Sequence, residues 1–100
     1  MGNIADNRQE KQAQTAMRPI VGLTETLPKD VLEGIVVEAM YRHRYLRDVA
    51  DLRHADICQG EPSLQARSAY VRAMIDMHAQ QTVLSTLLAV LGYIPKTPKG

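Results

Sequence analysis

The chain has few aromatic residues and a single cysteine. Its 100 residues include four Tyr but no Phe and no Trp, and because strands favour aromatic and β-branched side chains, an extensive β-sheet is disfavoured. Cys58 has no second cysteine to pair with, so an internal disulfide is excluded and nothing indicates an oxidising compartment. The abundance of Ala, Leu, Met, Arg and Gln instead predicts an all-α fold.

Long apolar runs and a strong net charge are also absent. No stretch approaches the roughly 18 apolar residues that would predict a membrane span, and residues 1–17 contain no signal-peptide core and no myristoylation motif. The net charge of +1 predicts no general attraction to nucleic acid or membranes. We therefore expect a cytoplasmic protein with a flexible tail over residues 1–17 and a single helical domain over residues 18–100.

The first half of the domain predicts one long helix. Apolar residues recur three or four positions apart from Leu32 to Ala50, which is the pattern of one helix face. The helix is expected to begin near Pro28, because proline suits the first helical position. Before it, residues 18–23 form a short apolar segment in which Pro19 favours an extended Arg18. This segment is too short for a sheet, so we expect it to lie across a helix surface.

The second half predicts a helix of similar length. Residues 56–63 contain a Gly and a Pro that interrupt the periodic pattern, and Ser63 can cap the helix that follows. That helix should run to Leu91, where Gly92 suits a left-handed C-terminal cap. Two such helices joined by a short linker are expected to form an antiparallel hairpin, with the short N-terminal segment beside it.

The last turns of the second helix are apolar around most of their circumference. A hairpin has one internal seam, so the remaining apolar surface must meet the N-terminal segment, a second copy of the chain or another protein. We therefore predict a homodimer formed through helix packing, together with a binding surface for a different protein. The predicted interface residues are Ile20, Leu23, Met40, His43, Leu46, Met77, His78, Leu84, Leu87, Leu88, Leu91 and Ile94.

Catalytic chemistry is not expected. Cys58 lies four residues after His54, but a Cys–His pair needs an orienting group and an oxyanion hole that a helical hairpin does not supply. Asp51 shares this face, yet a structural zinc site needs a fourth ligand. We predict no catalytic, metal-binding or cofactor-binding residue, with redox sensing by Cys58 as a minor alternative. We interpret His43 and His78 as histidines that form hydrogen bonds across a helix interface.

Arginines interleaved with aromatic residues in the run 41–47 favour a second hypothesis, a small dimeric DNA-binding regulator. Residues 41–54 contain four Arg and two Asp, a balance of 4 − 2 = +2, whereas phosphate binding usually needs a denser cluster. Arg42, Arg44 and Arg47 are therefore predicted to steer a protein partner rather than to hold DNA. A purely structural dimerisation module is the third hypothesis.

Several short strings, in order along the chain, resemble a known family. They are RPIVGLT at 18–24, LP at 27–28, HR at 43–44, MHAQ at 77–80 and LGYIPK at 91–96. Together they extend over residues 18–96, and in this order and spacing they resemble the TraM antiactivators of quorum sensing.

The resemblance implies a fold and a function. Proteins of that family are small helical dimers that bind the LuxR-type activator TraR, mainly at its DNA-binding domain, and keep it from promoter DNA. The implied effect is to restrain conjugal plasmid transfer. If this chain is similar, its partners are a TraR-like activator and a second copy of itself, and it needs no cofactor and no enzyme activity.

Overall fold

A computed structural model describes residues 15–97 of the chain. Three helices lie wholly within this range: α1 (Arg18–Thr24), α2 (Lys29–Ile57) and α3 (Leu64–Leu91). These residues contain no strand, which confirms the predicted all-α class. None of the helices in this range is both long and apolar enough to cross a membrane. Most of the predicted flexible tail, residues 1–14, lies outside the described residues.

The N-termini of the two long helices differ in how they are capped. Ser63 caps α3 as predicted, because its Oγ accepts a hydrogen bond from the Ala66 N–H at 3.0 Å. The sequence analysis predicted Pro28 near the first helical position of α2. In the structure Pro28 is instead the N-cap residue of this helix. Its backbone is extended, and its carbonyl accepts the first intrahelical bond from the Leu32 N–H at 3.0 Å. Proline still fits, since the N-cap needs no backbone N–H donor.

Contacts at both ends of the hairpin establish that α2 and α3 are antiparallel. At one end, the Lys29 ammonium donates to the Leu91 carbonyl oxygen at 2.5 Å, which joins the start of α2 to the end of α3. At the other end, the rings of His54 and Tyr70 lie 5.6 Å apart. Each helix is about 43 Å long at roughly 1.5 Å per residue. The two contacts therefore lie near opposite ends of the seam between α2 and α3.

The segment before α2 folds as a short helix and not as the predicted extended segment. In α1, Pro19 lies in the first turn, where its missing N–H costs nothing. The prediction of an extended Arg18 is therefore wrong, but α1 does pack against α3, as expected of a segment lying on a helix. Thr24 at its end is buried, and its hydroxyl is satisfied by donating to the Ile20 carbonyl at 2.7 Å.

The core is concentrated where α1 meets the hairpin. We call this group the end cluster; its buried members are Leu32, Val36, Ala39, Leu87 and Leu91. Partly buried side chains surround them, namely Ile20, Leu27, Met40, Val83, Leu84, Leu88 and Val90. Farther along the seam, the buried apolar residues are two alanines, Ala50 and Ala73. The hairpin is therefore packed with large side chains at one end and with small ones toward the linker.

Two glycine substitutions should change stability in opposite directions. Gly92 has φ +91, so Gly92→Ala forces a left-handed alanine and should lower the free energy of unfolding by about 1 kcal/mol. Gly34 lies inside α2 with open space where an added methyl group would sit. The substitution Gly34→Ala should therefore raise the free energy of unfolding by about 1 kcal/mol. Urea unfolding followed by circular dichroism measures both; equal effects would contradict the assigned Gly92 backbone.

Candidate partner-binding surfaces

Two of the predicted interface leucines are enclosed within the single chain. Leu91 is 0% exposed and Leu87 is 4% exposed, and both pack in the end cluster. The expectation that the last turns of α3 are free for docking is therefore wrong for these two positions. Neither side chain is accessible to a partner while the end cluster is intact.

The reason is that α3 has two intramolecular neighbours at its C-terminal end. The sequence predicts one apolar stripe on α3, through Tyr70, Met74, Met77, Gln81, Leu84, Leu88 and Leu91. The structure buries Leu91 of this stripe, but its other buried apolar residues on α3, Ala73 and Leu87, lie beside the stripe. The helix also packs against both α1 and α2, so burial on α3 is not confined to the predicted stripe.

The other predicted interface residues occupy three environments. Ile20, Met40, Leu84 and Leu88 are partly buried against the end cluster. Half-buried positions along the hairpin are His43, Leu46 and Met77, whereas Leu23, His78 and Ile94 are exposed. At 71% and 74% exposure, Leu23 and Ile94 are the two large apolar members that are freely accessible. Their roles in binding stay predictions.

A groove of about 460 Å³ lies along one side of the hairpin, toward the linker. Met74 and Met77 of α3 contribute to its lining, opposite His43 of α2. The Nε2 atom of His43 is buried without a hydrogen-bond partner, and such an unpaired group costs about 1–3 kcal/mol. The interpretation of His43 as a hydrogen-bonded interface residue is thus wrong for this atom. The same interpretation of His78, whose side chain is exposed, stays a prediction.

The possible cysteine site has little geometric support. Cys58 is exposed at the C-cap of α2, with its Sγ 3.8 Å from each ring nitrogen of His54. Between residues 15 and 97, no three metal-ligating side chains lie together. The nearby Asp56 is engaged by Arg53 in a 3.0 Å ion pair.

The three predicted steering arginines do not form one basic face. Arg42, Arg44 and Arg47 are all exposed on α2. At 100° per residue, Arg42 and Arg44 point about 160° apart, whereas Arg44 and Arg47 lie within about 60° of each other. A single groove of DNA would therefore meet at most two of them from this helix, although a protein surface needs no such alignment.

Sequence analysis missed the exposed apolar faces on the outside of the hairpin. On α2, Tyr45 and Leu52 are 63% and 62% exposed; on α3, Leu64, Val71 and Ile75 are 79%, 53% and 61% exposed. The signal was present as a second periodic stripe, since Leu64, Val71 and Ile75 are spaced by seven and four residues. It was overlooked because sequence analysis placed the surplus apolar surface of α3 in its last turns.

A tyrosine next to the end cluster has a shifted pKa. The Tyr93 hydroxyl donates a hydrogen bond to the Glu33 carboxylate of α2. That bond is the main reason why the pKa of Tyr93 lies above its usual value of 10.0, with desolvation and the negative charge of Glu33 adding to it. The residue after the α3 cap is thereby held against the start of α2.

These features define the class: a small all-α hairpin whose described surface presents exposed apolar side chains. Comparison with known proteins then gives the family. A family model described as prokaryotic transcriptional repressor TraM matches residues 1–96. A transcriptional repressor TraM from Rhizobium radiobacter is 37% identical over 89 residues, which covers 80% of this chain and 83% of the relative.

A second relative, the transcriptional repressor TraM of Agrobacterium fabrum (strain C58 / ATCC 33970), is 36% identical over 88 residues, 79% of this chain and 82% of the relative. The chain belongs to the TraM family of transcriptional repressors. The resemblance seen in the sequence is confirmed. The family match also extends into residues 1–14, which precede the described range.

Removing the Tyr93 hydroxyl should make stability less dependent on alkaline pH. Because the pKa of Tyr93 is raised in the folded state, the stabilisation is present below the unfolded-state pKa of about 10 and is lost as pH rises through the higher folded-state pKa. The difference in unfolding free energy between wild type and Tyr93→Phe should therefore shrink above about pH 10. When Glu33 is replaced by Gln, the effect of Tyr93→Phe on the unfolding free energy should no longer change with pH in this way. The same pH dependence in the Glu33→Gln variant would contradict the hydrogen bond between Tyr93 and Glu33.

Proposed function

We propose that this chain is an antiactivator: a protein-binding repressor that sequesters a LuxR-type, TraR-like transcription activator and blocks its DNA binding. Its activator contact is the DNA-binding domain, and it acts in the cytoplasm as a homodimer without a cofactor or enzyme activity. Its effect is to hold back conjugal plasmid transfer. The observation that carries the proposal is membership of a transcriptional repressor family by a fold with large exposed apolar faces.

The distribution of apolar side chains supports protein binding. Among the described residues, eleven large apolar or aromatic side chains are exposed, whereas the buried apolar set has seven members, three of which are alanine. Exposed apolar side chains that share one helix face, such as Leu64, Val71 and Ile75, mark a candidate interaction site. Burial at roughly 25 cal/mol per Å² would supply the driving force for both the homodimer and the activator complex.

The enclosed leucines refine the mechanism. Leu87 and Leu91 are already buried, so the first encounter with the activator uses accessible positions such as Leu23 and Ile94. Arg44 and Arg47 project to the same side of α2 and can steer this encounter through long-range attraction to acidic groups. Competition for promoter DNA then follows from occupation of the DNA-binding domain.

Direct DNA binding is the weaker candidate. A repressor that binds DNA itself would need an aligned basic surface, and the three α2 arginines do not provide one. The structural-module hypothesis does not account for a repressor family, because dimerisation alone represses nothing. We therefore retain the antiactivator as the proposal and use these two hypotheses as outcomes of its test.

A gel-shift assay separates the three hypotheses. Added to a complex of a purified TraR-type activator and its promoter DNA, the protein should release the DNA at near-stoichiometric concentration, and alone it should shift no probe. A direct, salt-sensitive shift would support DNA binding instead. No change in activator occupancy would leave only the structural module.

Size exclusion with light scattering should detect a homodimer and its complex with the activator. Ile94→Asp places a charge at a 74% exposed predicted contact and should weaken the activator complex about tenfold without loss of helicity. Gln59→Asp, an exposed linker position outside every predicted surface, is the matched control. Equal effects of the two substitutions would remove Ile94 from the binding surface.

A further inference from the structure

The outer face of α3 continues past the region that α1 occupies. At the C-terminal half of α3, Met17 and Val21 share a groove of about 440 Å³ with Thr86 and Ala89. At 100° per residue, Leu64 and Val71 in the first turns of α3 lie on the same side of the helix as Thr86 and Ala89. This side therefore has a neighbouring helix over its C-terminal half, whereas Leu64 and Val71 are exposed.

The first turns of this face form a second groove, which we call the open groove. It has a volume of about 340 Å³ and is lined by Leu64, Arg67, Ser68, Val71 and Arg72. Leu64 and Val71 provide its apolar floor, and Arg67 and Arg72 project to either side of that floor at 100° per residue. Neither arginine forms an ion pair or a side-chain hydrogen bond with any residue in the described range.

We propose that the open groove docks an amphipathic helix of the activator that places aliphatic side chains on Leu64 and Val71 and carboxylates beside Arg67 and Arg72. This inference rests on the proposed function and names the chemistry of the partner surface. The binding mode has a precedent within the chain, since α1 packs against the other half of α3, where Val21 and the N-cap residue Met17 line the shared groove.

Charge decides between the activator and a second copy of this chain. Two copies packed antiparallel about a two-fold axis at the centre of the open groove bring the two Arg67 side chains to one edge of the contact and the two Arg72 side chains to the other edge, because the axis keeps each residue on its own side. Like charges across an interface cost stability, so a homodimer centred there is disfavoured. With an acidic partner, the interactions of Arg67 and Arg72 become attractive. The partner's apolar side chains can then cover Leu64 and Val71 as well as a second copy of the chain would.

The test uses the full chain with a purified TraR-type activator. Arg67→Glu/Arg72→Glu and Val71→Asp should each raise the dissociation constant of the complex by about tenfold or more. All three positions are exposed, so helicity and the mass of the free protein should stay unchanged. The control variant Arg67→Lys/Arg72→Lys keeps a positive charge at both exposed positions and should have a clearly smaller effect on the dissociation constant.

Variant complexes as tight as the wild-type complex would overturn the open groove while leaving the antiactivator function standing. A change in the mass of the free protein, without a change in activator binding, would assign the groove to a second copy and also overturn the inference. Failure of the wild-type protein to bind the activator would overturn the proposed function, and with it the identity of the occupant.

A peptide experiment tests the groove chemistry independently of the activator. The probes are two amphipathic helical peptides of about four turns with identical leucines at i, i+4 and i+7. One carries flanking glutamates and the other flanking lysines. The glutamate peptide should bind at least about tenfold more tightly, and Arg67→Glu/Arg72→Glu should reverse that preference. Equal binding of both peptides, or of neither, would contradict an apolar groove with a basic rim.

Discussion

The burial of the last turns of α3 between α1 and α2 is the constraint on which the rest of the structure depends. Leu87 and Leu91 meet Leu32 and Val36 there, and these are the largest well-buried side chains of the hairpin. Because a short chain has a limited apolar interior, the structure concentrates it at one end. The contact of Lys29 with the Leu91 carbonyl and that of Tyr93 with Glu33 lie at that same end.

This concentration separates two kinds of apolar surface. The side chains inside the end cluster maintain the fold, whereas large apolar side chains on the outer faces of α2 and α3 are exposed within residues 15–97. A repressor built in this way can present a binding face without disturbing its core. The arginines at the first turns of α3 then add a charge preference to an otherwise unselective apolar surface.

The sequence predicted the fold well because its signals are local. The Ser63 cap, the Gly92 terminator and the three-and-four periodicity each act within a few residues, so the hairpin and the α3 boundaries agreed closely with the structure. The helical form of residues 18–24 was missed, because Pro19 also favours an extended neighbour. Proline is equally compatible with a first helical turn, and packing on α3 decided the outcome.

The binding surface was harder to predict because it depends on tertiary geometry. Periodicity identified apolar residues on α3 but not which of its sides α1 would occupy. Leu87 and Leu91 were therefore placed at an interface although they are buried, and Leu64 and Val71 were not considered although they are exposed. The family strings identified the repressor class without assigning any contact, since they span core and surface positions alike.

The alanines of the seam have a consequence for motion. Ala50 and Ala73 bring the helices together with little side-chain volume, and the residues between them and the linker bury few large groups. Local opening needs least free energy where few apolar contacts must be broken. The hairpin should therefore fray from its linker end, with backbone amides near residues 52–66 exchanging with solvent sooner than those around Val36.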